Sequence, residues 1–383
     1  MTRRVADRAD ISPFHVMEVI RAARERAEAG GDVLHLEVGQ PSTGAPASAI
    51  AAARAALDRA ESLTYTDAFG LAGLRERIAR HHLDRSGVEI EPNRIAVTHG
   101  ASMACVLAFL ATFDVGDRVA VCEPGYPCYR QMLLALGCEV VPVPIGASTR
   151  FQPTPELLEK VGPLDGLIVA SPSNPTGSQL TVDELAALAA WCGEHDVRLI
   201  ADEIYHGISY REPAPSALTH DDVRPIVINS FSKYFSMTGW RLGWMVLPHE
   251  LVRPVELLAQ NLVISASTLS QLAAVAAFDG SDELDGHVRR YDANREVLLG
   301  GLVDLGCSTI APPDGAFYLY ADVSHLTDDS QRLCAQWLDR LGIAATPGID
   351  FDPVRGHHTV RFSYAGDTAT ITDAVRRLST WPR

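Results

Sequence analysis

The stretch GLIVASPSNPTGSQLTVDELAALAAWCGEHDVRLIADEIY, from Gly166 to Tyr205, decides the fold class. Gly166–Ala170 (GLIVA) and Val197–Ala201 (VRLIA) are short apolar runs of strand length. Between them lie a proline- and glycine-rich turn and the helical pattern Val182–Cys192. The helix opens on Thr181-x-x-Glu184, in which each side chain can reach the other residue's backbone N–H. Two strands separated by a full helix are joined by a crossover, so they lie parallel. Working outward, Arg94–Thr98, Arg118–Cys122, Glu139–Pro144, Pro225–Asn229 and Leu242–Leu247 repeat the strand texture, and Met103–Thr112 is a helix apolar almost all round. This predicts an α/β chain with a mainly parallel seven-stranded sheet covered on both faces.

Beyond residue 280 the texture changes. A long charged helix over Asp282–Leu305 precedes strand Ala316–Ala321, a helix near Ser330–Leu341, strand Thr359–Tyr364 and a last helix. The expected organisation is an N-terminal segment, 1–40, packing with a smaller α+β domain, 281–383, around a large domain, 41–280. Strand Leu34–Val38 leads from that segment into the loop Gly39–Pro46.

Lys+Arg 33 against Asp+Glu 48 leaves a formal charge of −15 over 383 residues. An acidic surface repels nucleic-acid phosphates and anionic membranes, so neither is expected as a partner. With 47% hydrophobic and 21% charged residues the chain is globular. Seven cysteines without a C-x-x-C pair make no disulfide framework, and Cys105 and Cys192 lie in apolar helical stretches as small buried thiols. Met1-Thr2-Arg3-Arg4 has charge but no apolar run behind it, and no 18-residue apolar stretch follows elsewhere. The expected location is the cytoplasm.

Ligands of open α/β sheets bind at the carboxyl ends of the strands. There, Gly100-Ala101-Ser102 feeds a helix N-terminus, where free N–H groups suit a phosphate, although such turns often only connect elements. Asn174 stands between two prolines after Gly166–Ala170, either in a rigid turn or aimed at a ligand. Asp202 follows a buried strand, where a carboxylate is costly unless it meets a cation. Ser230-Phe231-Ser232-Lys233 ends Pro225–Asn229, with Arg241 eight residues on. Lys233 is either a solvated loop charge or a desolvated amine able to form a Schiff base. Together these groups match one cofactor, pyridoxal 5′-phosphate. Gly100–Ser102, Ser230, Ser232 and Arg241 suit its phosphate, and Asp202 its pyridinium nitrogen. Asn174 and Tyr205 suit its phenolic oxygen, and Lys233 its aldehyde.

In these residues the chain resembles the class I/II aminotransferases of the aspartate aminotransferase fold. Ser230-Phe231-Ser232-Lys233-x-x-Ser236-Met237-x-Gly239-x-Arg241-Leu242-Gly243 follows that family's lysine signature. Ser171-Pro172-x-Asn174-Pro175-Thr176-Gly177, Asp202-Glu203-x-Tyr205, Tyr65-x-x-x-x-Gly70-x-x-x-Leu74-Arg75 and Glu123-Pro124-Gly125-Tyr126-Pro127 also match it. The resemblance implies the type I fold of pyridoxal-phosphate enzymes and an aminotransferase homodimer with shared sites, moving an amino group between an L-amino acid and a 2-keto acid. It implies that Lys233 carries the cofactor and shuttles the substrate proton, that Asp202 keeps the pyridinium charged, and that Tyr205 belongs to the catalytic set. Tyr126 would stack on the cofactor and Tyr65 would reach the partner's phosphate. Arg361, in Val360-Arg361-Phe362-Ser363-Tyr364, would fork onto the substrate carboxylate, helped by Asn174 and the Gly39 N–H.

The resemblance also bears on the substrate side chain. Aspartate-accepting relatives carry a lysine where this chain has Ser102, and a serine and a threonine where it has Phe14 and Val16. A second carboxylate facing those apolar groups would be desolvated at a cost of several kcal/mol, roughly. An aliphatic side chain gains about 0.8 kcal/mol per buried CH₂. The expected donor is alanine, valine or a similar amino acid, with pyruvate or 2-oxoglutarate as acceptor. Aspartate/2-oxoglutarate transamination and carbon–sulfur β-elimination are the alternatives. A ligand-sensing regulator needs a DNA-binding domain before Leu34–Val38, where about 30 residues stand. No metal is expected: His81-His82 and His357-His358 read as exposed loop or helix-end residues. His99 and His206 receive no role, and Cys128 and Tyr129, placed where they could touch the site, are expected to serve helix packing instead.

Overall fold

The computed structural model describes residues 5–59 and 63–382. The Met1–Arg4 reading lies outside them. In chain order the first elements are α1 (His15–Glu28), β1 (Leu34–His35), α2 (Ala47–Asp58), α3 (Ala72–Ser86), β2 (Ile95–Thr98), α4 (Gly100–Thr112), β3 (Arg118–Glu123) and α5 (Pro127–Leu136). Next come β4 (Glu139–Pro144), α6 (Pro155–Val161), β5 (Gly166–Ala170), α7 (Val182–Glu194), β6 (Arg198–Asp202), β7 (Ile226–Ser230), β8 (Gly243–Val246), α8 (His249–Leu262) and α9 (Thr268–Ala277). The last third holds α10 (Ser281–Leu305), β9 (Tyr318–Asp322), α11 (Ser330–Leu341), β10 (Ile343–Ala344), β11 (Thr346–Pro347), β12 (Thr359–Ser363) and α12 (Thr368–Leu378).

Seven strands form the large sheet in the order β2-β8-β7-β6-β5-β3-β4. All neighbours run parallel except β8, which is antiparallel to both β2 and β7. Its strands read as unbroken apolar runs because both faces are buried. Leu167, Leu199 and Val227 enter one core, while their chain neighbours Ile168, Ile200 and Ile226 enter the other. The α7 capping box forms as read, with Glu184 N–H donating to Thr181 Oγ1 at 3.2 Å and Thr181 N–H donating to Glu184 Oε2 at 2.7 Å.

A second, antiparallel sheet runs β11-β12-β9, and β1 pairs in parallel with β10. The expected strand Leu34–Val38 is shorter than read. Leu36 N–H still donates to Ala344 O, but its carbonyl takes Ser363 N–H at 2.7 Å. The chain thus changes neighbours there and leaves the ladder before Gly39. The strand expected at Ala316–Ala321 spans Tyr318–Asp322 instead. Among the described residues no helix is long and apolar enough to cross a membrane.

The histidine pair on α3 corrects the sequence reading. His82 is buried and accepts from Trp244 Nε1 at 3.1 Å, and His81 packs against the rings of Phe278 and Phe235. Burial pushes both imidazoles down to about 3, so they stand as neutral core groups. His357 and His358 are exposed as expected. Among the described residues no group of three or more potential ligands could hold a metal ion.

Candidate active site

The carboxyl ends of β5, β6 and β7 open on a cavity of about 400 Å³, closed above by α1 and by residues of β9 and β12. Every candidate residue of the sequence borders it except Gly100 and Tyr65. Gly100 stands just behind the wall. At φ +73° it starts α4, and a Cβ there would lie 2.7 Å from Arg241 Nη2, so only glycine lets the guanidinium approach the helix N-terminus. Gly243 acts similarly: a Cβ would fall 2.8 Å from Ala101 N, blocking the contact of the first turn of α4 with β8. Tyr65 is 80% exposed.

The cradle at the base of the cavity suits a phosphate in shape and donor chemistry. Ala101 and Ser102 belong to the first turn of a 13-residue helix, whose leading N–H groups have no intrahelical acceptor. Ser230, Ser232 and Arg241 face the same space. Ser232 N–H donates to Ser230 Oγ at 3.0 Å, and Arg241 Nη1 donates to Thr238 O at 3.0 Å, which fixes the rim.

Lys233 Nζ donates to Gly39 O at 2.6 Å and lies 5.6 Å from the centre of the Tyr205 ring. Burial, and then the Arg361 and Arg241 charges, push its ammonium down to about 8, although Asp202 opposes the shift. The chain's other lysine, Lys160, lies on α6.

Asp202 is the last residue of β6. Burial pushes its carboxyl up to about 6, against the hydrogen bonds from Tyr129 and Ile204 N–H and the charge of Lys233. The bond from Tyr129 Oη to Asp202 Oδ2 corrects the expectation of helix packing for Tyr129 in favour of its alternative, contact with the site. Nothing in the motif Gly125-Tyr126-Pro127 shows it. The signal was positional: Tyr129 lies in the first turn of the helix that Tyr126 caps, three residues on. The rings meet edge to face at 5.2 Å.

Tyr205 Oη pairs with Tyr318 Oη at 2.7 Å, a partner the sequence did not suggest. Asn174 Oδ1 accepts from Arg361 Nη1 at 2.9 Å. Arg361 is 2% exposed and lies between the rings of Tyr318 and Phe351, at 4.6 and 4.7 Å. Its Nη2 donates to Glu37 O and to Thr346 Oγ1, while Nε–H is buried with no hydrogen-bond partner. No carboxylate among the described residues pairs with this guanidinium, and it borders the cavity. His206, which had no assigned role, bridges two strand ends. Its Nδ1 lies 3.3 Å from Glu203 Oε2 and its Nε2 3.1 Å from Ser171 O. His99 caps α4 without a side-chain bond.

A parallel sheet that presents a buried amine, a buried carboxylate and a phosphate cradle at its carboxyl edge defines a pyridoxal-phosphate enzyme. The comparisons name its kind. The model of the aminotransferase class I and II family matches residues 31–378, and the chain belongs to that family. It is 50% identical to a valine–pyruvate aminotransferase of Mycobacterium tuberculosis, over 100% of this chain and 99% of that one. A crystal structure of an aminotransferase from Mycobacterium tuberculosis superposes with a TM-score of 0.96, at 50% identity and 99% coverage of both chains. Aspartate aminotransferase from Thermus thermophilus with maleate superposes at 0.92, with 30% identity and 99% coverage of both. The chain is therefore an aminotransferase that depends on pyridoxal phosphate.

Proposed function

We propose that this enzyme transfers the amino group of a neutral aliphatic amino acid, of the valine or alanine type, to pyruvate or 2-oxoglutarate. The observation that carries this reading is the wall facing the cofactor cradle. Phe14, Val16, Met17 and Ile20 line it, and the cations bordering the cavity among the described residues are Lys233, Arg241 and Arg361. Each of those three has a task already, which leaves none for a second substrate carboxylate. The 50% identical relative named for valine and pyruvate supports the same choice.

The residues divide the work as follows. Ala101, Ser102, Ser230, Ser232 and Arg241, with Gly100 clearing the approach, would hold the phosphate of the cofactor, and Tyr126 would cover its ring. Asp202, oriented by Tyr129, would hold the pyridine nitrogen in its protonated form. Asn174 and Tyr205 would face the phenolic oxygen, and Lys233 the aldehyde carbon. Bound in this way, pyridoxal phosphate supplies an electron sink for the bonds at the substrate α-carbon. Arg361 forks onto the substrate carboxylate, aided by Asn174 and Gly39, and so fixes which bond points at Lys233. Lys233 would serve as the base that takes the proton from the substrate Cα and as the acid that gives one back, and its ammonium, pushed down to about 8, keeps a free amine available near neutrality.

The same reading takes residues 41–280 as the cofactor unit and 281–383, with 1–40 packed on it, as the unit carrying Arg361. Leu63, Tyr65, Leu262 and Ile264 are large exposed apolar groups. Contacts from 64–66 to 265–268 link the two segments that bear them. They support a homodimer in which Tyr65 reaches the partner's phosphate. The seven unpaired cysteines support a reducing, cytoplasmic setting. Steady-state kcat/KM for valine, alanine, phenylalanine and aspartate tests the substrate. Valine or alanine should lead, and a tenfold lead for aspartate overturns the reading. Release of pyruvate from cystathionine without any keto acid would mark a β-lyase instead.

A further inference from the structure

The amino end of α1 carries the apolar wall of the pocket, and its local backbone tie is a single bond from Met17 N–H to Phe14 O at 2.9 Å. The N-cap Phe14 offers no side-chain acceptor. A helix start leaves N–H groups that need partners. Here the partners of the first two helical N–H groups, those of His15 and Val16, come from a residue more than 330 positions away. Asp350 Oδ1 accepts from His15 N–H at 3.0 Å, and Oδ2 accepts from Val16 N–H at 3.1 Å. Asp350 is 4% exposed, and its charge also complements the positive end of the helix. The other polar links of this segment to distant residues are peripheral: Ser12 N–H donates to Gln131 Oε1 at 3.2 Å, and Gln331 Nε2 lies 3.4 Å from His15 Nδ1, both on the exposed surface.

Asp350 belongs to a short segment that touches three parts of the site. The Phe351 ring lies 4.7 Å from the Arg361 guanidinium. The Phe351 carbonyl accepts from Gly125 N–H at 3.0 Å, beside Tyr126. Asp352 pairs with Arg355 at 2.7 Å, and Arg355 donates to Glu123 O. Phe14 in turn meets the Tyr126 ring edge to face at 6.1 Å. One segment thus joins the side-chain wall, the arginine for the substrate carboxylate and the turn bearing Tyr126.

We propose that Asp350 is a positioning residue for substrate selection: by holding the start of α1 on its carboxylate, it sets Phe14 and Val16 at a fixed distance from Arg361. This rests on the aliphatic reading of the pocket above. A side chain attached to a carboxylate held at Arg361 then meets a wall in constant register. Without that anchor, α1 is free to shift, and branched side chains lose their contacts first.

The test uses the holoenzyme with D350A and D350N. Amide hydrogen exchange reads the anchor directly. In D350A the amides of His15 and Val16 should exchange at least tenfold faster, while exchange in β6 and β7 stays unchanged. The valine-to-alanine ratio of kcat/KM should fall about tenfold, and the affinity for pyridoxamine phosphate should stay within twofold. D350N keeps one acceptor oxygen and should fall between wild type and D350A. Unchanged exchange at both amides, or a valine-to-alanine ratio within twofold of wild type, overturns the proposal. If D350A does not fold, D350N alone decides on the same two readouts. A wild-type preference for aspartate would sink the aliphatic reading, whereas the exchange data and the shift between any two side chains would still judge Asp350.

Discussion

Tyr129, in the first turn of α5, donates its hydroxyl proton to Asp202 Oδ2 at the end of β6, and both side chains are buried. The bond favours the charged carboxylate in a place where burial favours the neutral acid.

The sign of the pH effect at this carboxylate follows. Asp202 titrates near 6, so its charge is present above that pH and lost below it. Affinity for pyridoxamine phosphate, which binds without a covalent link, should fall as the pH drops through about 6. Tyr129→Phe removes a bond that lowers the pKa, so the fall should begin at higher pH. Fluorescence titrations of the apoenzyme from pH 5 to 8 check this, and an unmoved midpoint would refute the role of Tyr129.

Lys233, pushed down to about 8, should react as a free amine well below the range of an ordinary lysine. Borohydride reduction of the holoenzyme and peptide mapping should place the cofactor on Lys233. Lys233→Ala should keep non-covalent binding but lose the reducible link and turnover. In a chain with two lysines the experiment has one competing outcome, label on Lys160, and that result would sink the assignment.

Tyr65 lies far out on the surface, at 80% exposure. A site made from Lys233 of one protomer and Tyr65 of the other can be rebuilt from two defective chains. Mixed Lys233→Ala and Tyr65→Phe protomers form one native site per heterodimer, so at limiting cofactor their activity should exceed the sum of the two alone. Strict additivity, or a monomer at micromolar concentration in sedimentation, argues against shared sites.

His82 should make the protein acid-sensitive. Its imidazole titrates near 3 when folded, against 6.5 as the ordinary value, so between those limits the unfolded chain binds the extra proton. Stability is therefore full above pH 6.5 and falls as pH drops through this window, by about 2 kcal/mol at pH 5. The drop in unfolding free energy between pH 7 and pH 5 should shrink in His82→Gln. An equal drop in both proteins would show that other groups control acid unfolding.

Much of this molecule was legible from one dimension. Unbroken apolar runs such as Leu167–Val169 and Leu199–Ala201 announce strands buried on both faces, because each successive residue must enter one core or the other. Full helices between them force parallel pairing. Groups at strand ends, Asp202 and Lys233 among them, are readable because the ends of parallel strands converge on one edge. Local chemistry also reads directly, as the Thr181–Glu184 capping box shows.

Other features depend on contacts between distant segments. His81 and His82 look like surface groups, and only the packing of α3 against Trp244 and Phe278 makes them core. The bonds from Tyr129 to Asp202, from Tyr318 to Tyr205 and from Asp350 to the start of α1 join residues 73, 113 and 335 positions apart. Periodicity and motif spacing carry information about neighbours along the chain. A hydrogen bond across such separations is set by the packing of whole elements. The sequence by itself thus determined the sheet, the cofactor and most of the residues that border the cavity, since each is a local pattern repeated at one edge. The tertiary structure alone decided which side chains orient those residues and what anchors the wall above them, because those partners meet only once both sheets and α1 have packed.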